Sequence, residues 1–89
     1  MPHILNRVKD ANIEEVKSQL SRDADAHAAQ GIFLEHLWQN HDDPSEALFL
    51  FRVDDLSHCK RLIERRYADM REHDPSANLP ETMFLYDQA

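Results

Sequence analysis

His36, His41, Asp42 and Asp43 fall within a span of eight residues, and histidine with carboxylate is the pairing that binds metal ions or moves protons near neutral pH. The spacing argues against a shared ion. Five residues along a strand put His36 and His41 roughly 16 Å apart, whereas metal–ligand bonds are only about 2.0 to 2.2 Å long. An odd separation also sends the two side chains to opposite faces of a regular strand. His41-Asp42-Asp43-Pro44-Ser45 is turn chemistry, in which aspartate hydrogen-bonds its own backbone. The run therefore predicts a turn, with no metal centre and no cofactor.

His36 taken alone offers more. On a regular strand it shares a face with Leu34 and Trp38, while Glu35 lies opposite with Phe33 and Leu37. It is a candidate general acid or base beside an aromatic platform; the rival reading is a hydrogen-bonded residue at the sheet edge. Tyr86, on the same side of its strand as Phe84 and Thr82, is a second catalytic candidate, able to donate a proton or hold a carbonyl oxygen. Its rival reading is packing at the end of the sheet. Of Asn6 and Arg7, one must face the helices, and a buried arginine there would be costly. Arg7 on the other side would hold an anionic ligand; its rival reading is a strand-end surface residue with no role. His27 reads as a histidine at the edge of the core and Cys59 as a small core residue.

These residues need elements to position them. His3 to Lys9 is a short apolar run closed by Asp10-Ala11-Asn12, and predicts a first strand. Asn12 with Glu15 three residues on is a capping-box variant that opens a helix, whose apolar stripe is Ile13, Val16, Leu20, Ala24, His27 and Ala28. Gly31 sits where a left-handed residue would end it. Ile32 to Asn40 and Glu46 to Val53 form a hairpin around the His41–Ser45 turn. Asp55 caps a second helix with the stripe Leu56, Cys59, Ile63, Tyr67 and Met70, which His73-Asp74-Pro75 ends. Glu81 to Tyr86 is a last strand. The order β-α-β-β-α-β predicts a single α+β domain over residues 1–89, a four-stranded antiparallel sheet with two helices on one face, the ferredoxin-like arrangement. That leaves one sheet face bare, and a large bare apolar face marks an association site.

Composition narrows the function classes. The net charge is −7, which repels phosphate backbones, so no nucleic-acid partner is expected. A single glycine excludes Gly-rich phosphate loops. The longest unbroken apolar run, Ala47 to Phe51, is far short of the ~20 residues that span a bilayer, and MPHILNRVKD does not read as a signal peptide. No membrane partner is expected, and a cytoplasmic location is the default. At this length the buried fraction of the surface is roughly 60 to 65%, which makes dimerisation an advantage.

Several segments resemble a known family: Arg7-Val8-Lys9-Asp10 on the first strand, the Gly31 exit, the run Gln39 to Glu46, Leu48 to Leu56, and Pro80 to Leu85. Across nearly its whole length the chain is similar to the dimeric α+β barrel superfamily, the antibiotic-biosynthesis-monooxygenase-like group. The resemblance implies a homodimer whose two sheets pack face to face, binding a small, largely apolar, aromatic or polyketide-like molecule in a central cavity. The candidate lining is Arg7, Trp38, Phe49, Phe51 and Phe84. It further implies a cofactor-independent cyclase, isomerase or monooxygenase of small-molecule metabolism, with a non-catalytic ligand-binding or sensory dimer as the alternative. Monooxygenase members carry Asn, Trp and Tyr in the cavity, where this third strand carries Phe49, Phe51 and Val53.

Overall fold

The computed structural model describes residues 1–88. Six elements follow one another: β1 (His3–Val8), α1 (Ile13–Ala29), β2 (Ile32–Gln39), β3 (Ala47–Val53), α2 (Leu56–His73) and β4 (Glu81–Leu85). The strands form one antiparallel sheet in the order β2-β3-β1-β4, which is the expected ferredoxin-like topology. Lys9, Asn40, Glu46 and Tyr86, each placed in a strand by the sequence pattern, lie just outside one. Among the described residues no helix is long and apolar enough to cross a membrane.

The helix ends follow from local chemistry. Asn12 accepts a hydrogen bond from the Glu15 amide at 3.1 Å, and Asp55 from the His58 amide at 3.0 Å; each satisfies a backbone donor that the first turn leaves free. Gly31 leaves α1 with φ +74°, and a Cβ built on it would stand 2.0 Å from the Asp54 carboxylate. Asp54 is exposed and can swing aside, so the left-handed backbone sets most of the penalty. Gly31→Ala should therefore cost about 1–2 kcal/mol, read from urea unfolding midpoints; an unchanged midpoint would refute the strain.

Alternation along the central strands sorts their side chains. Ile4, Asn6 and Val8 of β1 and Ala47, Phe49, Phe51 and Val53 of β3 are buried on the helix side. Leu20 of α1, and Leu56 and Cys59 of α2, close over them. Cys59 is fully buried, and burial pushes its thiol above the usual range, so it is a core residue and not a nucleophile. The other face carries Leu5, Arg7, Leu48, Leu50 and Met83, and among the described residues no helix or strand covers it. Phe33, Trp38 and Met83 are 37%, 45% and 55% exposed there.

β2 departs from the expected alternation. Leu34 pairs with Phe51, yet His36 pairs with the next residue back, Leu50, so Glu35 is an extra residue in a β-bulge. Strand partners share a face. Phe33, paired with Arg52, therefore joins His36 and Trp38 on the bare side, while Leu34 and Leu37 belong to the helix side. Glu35 also reaches over the bare side, where its carboxylate lies 2.7 Å from His3 Nε2 on β1. The regular-strand reading, with Leu34 beside His36 and with Phe33 and Glu35 opposite, is corrected by this one inserted residue.

Candidate functional site

The opening cluster is a turn. Asp43 Oδ1 accepts from the Ser45 amide at 3.0 Å and the Ser45 hydroxyl at 2.6 Å, and those bonds hold its carboxyl below the ordinary range. The Asp42 amide donates to Asn40 Oδ1 at 2.9 Å. His41 Nδ1 lies 3.1 Å from Asp42 Oδ1, with both side chains almost fully exposed. Among the described residues no three histidines, cysteines or carboxylates gather where an ion could sit.

The other sequence candidates divide between the two faces. His36 and Trp38 stack on the bare side, ring centroids 5.0 Å apart and planes within 19°. Arg7 is on that side too, with Nε 3.2 Å from Glu46 Oε1. Its N–H is not aligned on the carboxylate, so Nε has no hydrogen bond despite the short contact. Phe49 and Phe51, expected to bound one cavity with Trp38, point instead to the helices and are 9% and 5% exposed. Phe84, paired with Ile4, also faces the helices, with the Lys60 ammonium 5.4 Å from its ring. Tyr86 is 66% exposed just past β4. β4 and β2 are opposite edges of the sheet, so Tyr86 and His36 do not meet within one chain.

The structure gathers a different set. Between the helices and the sheet lies a cleft of about 410 Å³, within the usual range of small-molecule sites. Leu20, Phe49, Phe51 and Ile63 give it an apolar wall; Asn6, His27 and Tyr67 bring polar groups to it. Arg66 and Asp23 stand at the helices on either side. A wider groove of about 730 Å³ along the start of α1 is open and mostly polar, with Asp10, Glu14, Glu15 and Arg22 around it. The cleft has the apolar body and the few convergent polar groups that recognition needs; the groove does not.

Each polar group has a local cause. Asn6 takes the inward place on β1 that an arginine could not occupy cheaply. It is 1% exposed, and its Oδ1 accepts a hydrogen bond from the Thr82 hydroxyl at 2.8 Å. No hydrogen bond of its Nδ2 is found among the described residues. Tyr67 descends from α2, and burial pushes its phenol up, partly opposed by hydrogen bonding with Thr82 and by the Arg66 and Arg71 guanidiniums. His27 sits edge-on to Phe51 at 5.3 Å. Burial lowers its pKa first; Asp23 opposes this and Arg66 adds to it.

His27 is thereby kept as a neutral imidazole at pH 7, the form that can accept a proton. Because its folded value is lowered from 6.5, the unfolded chain binds more protons than the folded one between the two values. The stability this group contributes is complete above about pH 6.5 and is lost as pH falls through the folded value. Urea unfolding of wild type and His27→Gln from pH 7.5 to 4.5 should show that the variant loses this part of the acid slope. Identical slopes would remove the desolvated histidine from the account.

Two signals in the sequence could have found this site: the polar Asn6 at an inward strand position, and His27 on an otherwise apolar helix stripe. A third was misread. The inward stripe of α1 is Ile13, Val16, Leu20, Asp23 and His27, alternating steps of three and four, while Ala24 and Ala28 are exposed.

No family model matches the chain, and no curated protein sequence matches it. Among solved structures, the crystal structure of a Deinococcus radiodurans protein provisionally described as an antibiotic biosynthesis monooxygenase is similar over 100% of this chain and 94% of that one. The TM-score is 0.64 and the sequence identity 12%. An identity that low speaks for the fold alone. The chain has the ferredoxin-like α+β fold and shares it with that structure.

Proposed function

We propose that the protein is a homodimer in which each copy binds a small, largely apolar, aromatic or polyketide-like molecule in its own helix–sheet cleft and acts on it without a cofactor. The observation that carries this reading is Asn6: a carboxamide 1% exposed, its Oδ1 held by the Thr82 hydroxyl, on one cleft with the neutral His27 and the Phe49 and Phe51 rings. In the reaction, His27 accepts a proton from a weakly acidic C–H or O–H of the ligand, and Asn6 donates a hydrogen bond to the oxygen on which charge develops. The aromatic and aliphatic walls exclude water and strengthen both interactions. Phe84 supports the α2 side of the cleft. Arg7, Trp38 and His36 lie on the bare face, where a second copy would cover them.

Native mass spectrometry of the purified protein tests both halves, reporting the dimer mass and any co-purified molecule of a few hundred daltons. Once a substrate is found, His27→Ala and Asn6→Leu should each lower turnover by about a hundredfold or more, while His36→Ala and Tyr86→Phe should keep it. The reverse pattern would return the chemistry to the bare face. A ligand held tightly but unchanged on long incubation would make the cleft a binding module and not an active site.

A further inference from the structure

Asn6 can face the cleft with either end of its carboxamide, a donor or an acceptor, and the two ends select opposite ligands. What decides between them lies outside the cleft. Thr82 is the β4 partner of Asn6 across the sheet, and its hydroxyl is 2.8 Å from Asn6 Oδ1. It does not line the cleft; it borders an outer groove of about 600 Å³ on the far side of Tyr67 and the Leu79-Pro80 corner. A hydroxyl has one proton to give, and the geometry gives that of Thr82 to Asn6 Oδ1. With Oδ1 occupied, Nδ2 is the end left for the cleft.

We infer that Thr82 is a positioning residue: by engaging Asn6 Oδ1 it presents the Nδ2 donor to the cleft, and so selects ligands that offer a carbonyl or phenolate oxygen there over ligands that offer an N–H. This rests on the cleft being the ligand site. The fixed amide supplies a hydrogen bond that needs no reorientation on binding, and a ligand N–H aimed at the same spot meets a second donor. Discrimination between an acceptor and a donor of the same shape should then be about tenfold, the size of one net hydrogen bond.

Three flat tricyclic probes of nearly one shape separate the possibilities: fluorenone with a carbonyl, carbazole with an N–H, and fluorene with neither. Isothermal titration calorimetry of the wild-type protein should give fluorenone about tenfold tighter than carbazole. Thr82→Val, which keeps the side-chain shape and removes the hydroxyl, frees the amide to turn and should bring that ratio close to one. Thr82→Ser should restore it, and fluorene should bind all three proteins alike. A ratio unmoved in Thr82→Val, or affinities for all three probes falling together, would leave Thr82 as packing and overturn the inference. Carbazole preferred by the wild type would show the amide turned the other way, which also overturns it. Equal binding of the three probes would leave the cleft as a ligand site and remove its polar selection; no binding of any of them would end the cleft reading and this inference with it.

Discussion

Ile4→Ala should lower the free energy of unfolding by about 3 kcal/mol, a large share of the roughly 5–15 kcal/mol available to a small domain. Ile4 is 0% exposed near the start of β1, paired with Phe51 on one side and Phe84 on the other. Strands hold it on both flanks, so the surroundings have little freedom to collapse into the space left by three carbon atoms. The neighbouring substitution makes the comparison sharp. Leu5→Ala falls on the bare face, where Leu5 is partly buried between Leu50 and Met83 but has no helix over it, and should lower the stability of a dissociated subunit by only about 1 kcal/mol. Equilibrium urea unfolding at low protein concentration reads both. Equal losses from the two substitutions would contradict the division of β1 into a core face and a bare face.

Leu50→Glu should turn the proposed dimer into a monomer at micromolar concentration while leaving the helix–sheet core folded. Leu50 stands at the middle of the bare face, between Leu5 on β1 and His36 on β2. A carboxylate there would lose its water on association, and the twofold relation between copies would bring a second one near it. The dissociation constant should rise by at least about a hundredfold. Sedimentation velocity measures the mass, and far-ultraviolet circular dichroism checks that the fold survives. A variant that remains dimeric would move the association to another surface. A wild-type protein that is monomeric under the same conditions would remove the dimer altogether.

The parts of the fold that depend on near neighbours were legible in the sequence. Asn12 and Asp55 announce their helices because a cap needs only three residues, and Gly31 announces its exit because the left-handed backbone excludes most other residues. The bulge at Glu35 was not legible, since it arises from how β2 registers on β3, and alternation read along β2 alone assumes there is none. That one residue moved Phe33 to the bare face and Leu34 off it. The site was half legible. The physical argument that kept Arg7 out of the core also placed Asn6 in it, but the bare sheet face drew attention away from the helix side. The cleft is built by residues from five elements and the loop before β4, and only their packing reveals that His27, Asn6 and Phe51 surround one space.

The same bulge has a bearing on how copies of the chain can accumulate. A straight, regular edge strand is a template on which another chain can add, and each addition exposes a fresh edge, the route to fibres. β2 is one edge of this sheet, and Glu35 interrupts its ladder near the middle. The other edge, β4, is five residues long and follows directly on Pro80. Both margins are thus poor places for growth in the plane of the sheet, and the apolar surface that remains lies across its face. The proposed pairing through that face about a twofold axis would use the surface up in a single step and stop at two copies.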